Sequence, residues 1–141
     1  MSFLLDTSLI SELVRKSPHL PVLEWIGAQD ETSLYLSVVT IGELEKGIAK
    51  LPDSPRRIAL QKWVRRELAD RFRGRLLDVD ASVATRWGTA SGKSESSGRP
   101  IPVVDCLIAA TSLQHGLTVV TRNTADLEQC GARCVNPWTG K

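Results

Sequence analysis

The chain has 141 residues, 42% of them apolar and 24% charged, with a net charge of +2. That length suits a single domain over residues 1–141 with its own core, and the composition is globular rather than disordered. No apolar run approaches the ~18 residues that cross a bilayer, and the start Met1-Ser2-Phe3-Leu4-Leu5-Asp6 lacks the basic region of a signal peptide. A soluble cytoplasmic protein is therefore expected.

Phe3-Leu4-Leu5 predicts a short buried strand, and Asp6-Thr7-Ser8 opens a helix with Leu9, Ile10, Leu13 and Val14 at helical spacing. Ser17-Pro18 ends that helix, and Pro21 begins a second one carrying Val22, Leu23, Trp25 and Ile26 up to Gly27. Ser33 to Val39, rich in β-branched and aromatic residues, predicts the second strand. Thr40 then stands as an N-cap with Glu43 in capping-box register, and the helix it opens runs to Pro52.

From Ser54 or Pro55 a longer helix reaches about Phe72, with Ile58, Leu60, Trp63, Val64 and Leu68 expected inward. Gly74 breaks it, Leu76 to Val79 reads as a third strand, and Asp80 caps a helix through Val83, Ala84 and Trp87. Residues 91–98, Ser-Gly-Lys-Ser-Glu-Ser-Ser-Gly, are of low complexity and are expected as a frayed helix end or a mobile loop. Pro100 and Pro102 restart a helix through His115, ended by Gly116. Leu117 to Thr121 is the fourth strand, a short helix follows over Thr124 to Gln129, and Arg133 to Val135 makes a short fifth strand. Strands alternating with helices predict an α/β fold, three layers deep around a mainly parallel sheet of four or five strands.

Four acids stand just past predicted strands or open the helices beside them: Asp6, Glu43, Asp105 and Asp126. In an α/β sheet that is the carboxyl edge, where ligands bind. Each acid has an ordinary alternative. Asp6 caps a helix for about 1 kcal/mol, Glu43 completes a capping box, and Asp126 decorates a first turn. Asp105 is harder to explain that way. It lies between Val103-Val104 and Cys106-Leu107-Ile108 with no Lys or Arg within a helical turn, and burying an unpaired carboxylate costs several kcal/mol. Converging carboxylates fit a hard divalent ion such as Mg²⁺, which takes oxygen ligands. Cys130 and Cys134 have CxxxC spacing but no second ligand pair, so reduced, buried thiols including Cys106 are expected rather than zinc. No phosphate-binding GxxxxGK[ST] loop and no GxSxG elbow is present.

Five segments, Leu4 to Ser8, Leu36 to Ile48, Asp105 to Thr111, Gly116 to Leu127 and Asn136-Pro137-Trp138, together resemble PIN domains. The likeness is strongest to the VapC-like and FitB-like toxins of type II toxin–antitoxin pairs, and it covers nearly the whole chain in order. It implies a three-layer α/β/α PIN-like fold and a Mg²⁺- or Mn²⁺-dependent endoribonuclease that hydrolyses RNA with an activated water. Asp6, Glu43, Asp105 and Asp126 would form the catalytic set, with Asp6 and Asp105 as the main metal ligands. One departure concerns the position after Thr121-Arg122, an acid in some relatives and Asn123 here; Asn123 can offer its carbonyl oxygen, and Asp126 can reach in from the next turn. Thr7, Ser8 and Thr121 are candidates either to hydrogen-bond the ligand carboxylates or to cap helices. The resemblance further implies an RNA substrate, a cognate antitoxin, and a homodimer or a hetero-oligomer with that antitoxin. The alternative is a non-catalytic RNA- or partner-binding PIN domain. A phosphohydrolase with Asp6 as nucleophile ranks last, because Ser8 stands where a DxD signature needs its second acid.

Residues 56–75 hold eight basic residues against Glu67 and Asp70, a net of +6 that leaves −4 for the remainder. Three readings stay open for this helix: a solvated face, an RNA-contacting surface using Arg65 and Arg66, or an antitoxin-binding face. The four tryptophans, Trp25, Trp63, Trp87 and Trp138, are expected to fill cores rather than to stack on bases.

Overall fold

The structure is a computed structural model and describes residues 1–140. Five parallel strands, β1 (Phe3–Leu5), β2 (Leu34–Ser37), β3 (Leu76–Leu77), β4 (Thr118–Val120) and β5 (Cys134–Val135), form one sheet in the order β3-β2-β1-β4-β5. β1 is central, with Phe3 opposite Leu34 on one side and opposite Thr118 on the other. Between the strands run α1 (Thr7–Leu13), α2 (Leu20–Gly27), α3 (Val38–Ala49), α4 (Pro55–Lys62), α5 (Ala69–Arg71), α6 (Ala81–Ser96), α7 (Val103–His115) and α8 (Thr124–Gln129). Side chains alternate across a strand, so β1 feeds two cores. Phe3 and Leu5 join Leu9, Ile10, Val22, Leu68 and Phe72 on one face, while Leu4 joins Cys106, Ile108, Val119 and Leu127 on the other. The result is the expected α/β/α sandwich. Among the described residues no helix is long and apolar enough to cross a membrane.

Several local expectations need correction. β2 stops at Ser37, whose hydroxyl accepts from the Val39 N–H at 3.0 Å and so caps α3. Thr40 lies fully buried inside the first turn and caps nothing, so Glu43 belongs to no capping box. β3 is two residues rather than four. Residues 91–96 continue α6 as regular helix, and only Gly98, at φ 74°, turns the chain. Ser94 is buried there, and Ala90 packs against the second core.

The helix over 55–71 is continuous, but Trp63–Leu68 is a π-helical segment, the kind of extra-residue bulge that re-aims side chains. Ile58, expected inward, is 66% exposed. Trp25, Trp63 and Trp138 pack on the first core and Trp87 on the second, as expected.

Candidate active site

β1 lies at the point where the chain turns from building one half of the sheet to building the other, and the crevice between the carboxyl ends of β1 and β4 is where such sheets bind ligands. Asp6 follows β1 directly and is 6% exposed. Its Oδ1 accepts the Thr7 N–H at 2.7 Å, which makes it the N-cap of α1. Its Oδ2 accepts from Thr121 Oγ1 at 2.7 Å, across the crevice from the end of β4, and from Ser8 Oγ at 3.2 Å. The capping and site readings of Asp6 therefore coexist in one residue, with one oxygen for each.

Glu43 comes in from the second turn of α3, six residues past the β2 end, and accepts a hydrogen bond from Thr7 Oγ1. Asp105 stands in the first turn of α7, and Asp126 in the first turn of α8. Asn123 joins them: its Nδ2 donates to Asp105 Oδ2 at 3.1 Å and to Asp126 Oδ2 at 3.0 Å. The amide therefore presents its donor to the acids, where its carbonyl oxygen was expected. Thr121 Oγ1 also accepts the Asn123 N–H at 3.0 Å, which fixes the loop that carries the amide.

The four acids converge electrostatically. Burial and then the charges of Asp6, Asp126 and Glu43 push the Asp105 carboxyl from its ordinary 3.8 up to about 6, against the opposing hydrogen bond from Asn123. None of the four forms an ion pair with Lys, Arg or His among the described residues. Such concentrated negative charge is the environment of a cation site. Its ligand atoms are carboxylate and hydroxyl oxygens, the kind that hard divalent ions take. Among the described residues no three carboxylate, imidazole or thiol groups stand as a closed ligand set, so the fit rests on charge and donor chemistry.

The cysteines add nothing to the donor set. All three are free, Cys106 Sγ lies 3.2 Å from Cys130 Sγ, and burial pushes the Cys130 thiol up to about 12 and the Cys134 thiol up to about 11.

Arg122 is a neighbour that sequence reasoning left out of the site. Its N–H donates to Ser8 Oγ at 3.3 Å, and its guanidinium sits 5.5 Å over the Trp138 ring. The signal lay in the Thr-Arg pair itself, a cation directly after a strand that ends at the acids.

The basic block is less free than its charge suggests. Arg65 pairs with Glu45 at 2.9 Å, Arg71 and Arg75 share Glu31 at 3.0 and 3.4 Å, Arg57 pairs with Asp53, and Arg73 with Asp70. Arg66 is exposed and forms no ion pair among the described residues; with Ile58, Lys62 and Arg65 it borders a groove of about 370 Å³. A second, apolar groove of about 220 Å³ adjoins the acids, running from Thr7 and Glu43 past Leu44, Ile48, Leu60 and Trp63.

Known proteins are similar to this chain in sequence and in fold. The PIN domain family matches residues 3–130. The VapC ribonuclease Y4jK of Sinorhizobium fredii is 38% identical over 134 residues, which cover 95% of this chain and 96% of that protein. The toxin FitB of Neisseria gonorrhoeae is 34% identical over 135 residues, or 96% of this chain and 97% of that one. The crystal structure of FitAcB from the same organism superposes with a TM-score of 0.90 at 34% identity, covering 96% and 98% of the two chains. A match along nearly the full length, in sequence and in fold, means that the chain belongs to the PIN-domain family.

Proposed function

We propose that this chain is the toxin of a type II toxin–antitoxin pair, an endoribonuclease that hydrolyses RNA phosphodiester bonds at the acidic crevice with Mg²⁺ or Mn²⁺. The observation that carries the reading is the state of Asp105, raised to about 6 by burial and by three neighbouring acids, with no cationic side chain paired to any of them among the described residues. A ribonuclease and a toxin among relatives of a third or more identity support the activity and the role.

Asp6 and Asp105 would hold the ion, which when bound polarises the scissile phosphate and acidifies a water. Thr121 and Ser8 fix the Asp6 carboxylate, so that it meets the ion without first reorganising. Thr7 holds Glu43 by Oε1, which leaves Oε2 to support the site directly or through water. Asn123 spreads the charge of Asp105 and Asp126 and keeps both carboxylates in place. RNA is a polyanion that Asp6, Glu43, Asp105 and Asp126 alone would repel, so the charge of these acids would have to be neutralised before a phosphate could approach them. The work takes place where cellular RNA is found, the cytoplasm.

The partner in this reading is a cognate antitoxin. The apolar groove beside Thr7 and Glu43 suits an apolar helix, from which a basic side chain could reach the acids. The metal requirement has a direct check. RNA cleavage by the purified protein should stop with a chelator and return with Mg²⁺ or Mn²⁺; cleavage that continues at full rate in chelator would contradict the reading.

A further inference from the structure

We infer that a second site, at the C-terminal end of α8, whose first turn carries Asp126 of the acidic crevice, takes a nucleotide of the RNA strand that flanks the scissile bond. This inference rests on the ribonuclease reading above. Between α6, α7 and α8 lies a cavity of about 680 Å³, within the size range of small-molecule sites. Three cations, Arg86, Lys93 and Arg99, line it and no carboxylate does. None of the three forms an ion pair among the described residues, in contrast to the block over 56–75, where five of the eight basic residues are paired. Unneutralised positive charge around a concave surface attracts phosphate.

The cavity is more than a patch of charge. Ala90 and Leu113 give it an apolar wall of the kind a base or ribose packs on, and Leu113 is 39% exposed there. One cation is held in place and the backbone that carries another is anchored. Arg86 Nε donates to Gln114 Oε1 at 2.9 Å, with no bond at its terminal nitrogens among the described residues, and Gln129 Nε2 donates to the Arg99 carbonyl at 2.7 Å.

Gln129 also sets the distance to the acids. It is the last residue of α8, and Asp126 lies three residues before it. At 1.5 Å of rise per residue the two are about 5 Å apart along the axis. One short helix thus carries an acidic residue of the crevice at its start and the cationic cavity at its end, so a strand cut at the first would be gripped at the second.

The test uses full-length protein with Asp105→Asn as the parent and a short fluorescein-labelled single-stranded RNA, read by anisotropy over a salt series. Lys93→Ala/Arg99→Ala should weaken binding about tenfold and flatten the salt slope by about 0.7 for each phosphate that the protein no longer neutralises. Lys16→Ala/Lys50→Ala, which removes the same charge from exposed positions away from the cavity, should leave both quantities unchanged. Equal effects from the two pairs, no effect from the cavity pair, or a parent that does not bind RNA would each overturn the inference. So would a cavity pair that changes only the oligomeric mass, since a second copy would then be the occupant. A free nucleoside monophosphate that binds as tightly as the RNA, and loses as much to the cavity pair, would overturn the flanking-strand assignment. The ribonuclease reading fails separately, through an absence of RNA cleavage by the wild-type protein in Mg²⁺ or Mn²⁺.

Discussion

Asp105 is the residue on which the site's electrostatics turn. Its carboxyl, near 3.8 in an unfolded chain, is raised to about 6 in the fold by burial and by Asp6, Asp126 and Glu43. Between those values the native state binds the proton that the unfolded state has already released, so stability falls as pH rises from about 4 through about 6 and stays lowered above it. In chelator, Asp105→Asn should therefore melt higher than the wild type near neutral pH, with the gain fading below pH about 4; a variant that melts lower near neutral pH would contradict the assignment. The same reasoning applies to Asn123, which donates to both Asp105 and Asp126. Asn123→Asp exchanges two hydrogen bonds for a further negative charge. It should cost about 1–3 kcal/mol without metal and show a larger rise in melting temperature on adding Mn²⁺ than the wild type does. Equal metal-induced shifts would place residue 123 outside the ion's reach. Asp105 was legible in the sequence because a lone acid in an apolar helix needs an explanation. The bridging by Asn123 was not, because an amide's choice between donor and acceptor is made by partners that only the fold assembles.

At the scale of elements, α3 and α6 show what local pattern conveys and what it leaves out. Thr40 and Glu43 have capping-box spacing, yet Ser37 takes the cap because β2 ends earlier than its β-branched run suggests. The spacing was real, but the register was set by the sheet. Glu43 is thereby released to Thr7 and the crevice. The stretch over 91–98 is poor in apolar residues and so reads as a frayed helix end or a mobile loop, yet residues 91–96 continue α6, where Ser94 is buried and Ala90 packs on the second core. Ser94→Pro, inside the regular helix of α6, should break that helix and cost about 3 kcal/mol, read by urea denaturation. A mobile segment would absorb the change without cost. The element also bears on function, since α6 supplies two of the three cations of the cavity beside α8.

Across the whole molecule, topology does most of the work of assembling the site. The order β3-β2-β1-β4-β5 puts β1 and β4 side by side. Asp6 and Thr121, 115 residues apart in sequence, then meet at 2.7 Å. Alternating strands and helices made that architecture legible, and with it the edge where acids past strand ends gather. The charge balance of the surface was not legible. Glu31 neutralises Arg71 and Arg75 across 40 or more residues, and Glu45 neutralises Arg65 across 20, so the most basic stretch of sequence is not the most available positive surface. Acids at the crevice, an apolar groove beside Thr7 and Glu43, and unpaired cations at the far end of α8 are the parts that the proposed toxin would use for metal, partner and RNA. The most direct test is cleavage of an RNA panel by wild type, Asp6→Asn and Asp105→Asn in Mg²⁺ or Mn²⁺. The wild type should cut and each variant should lose about a hundredfold or more, whereas cleavage that survives both substitutions would show that the acidic crevice is not the active site.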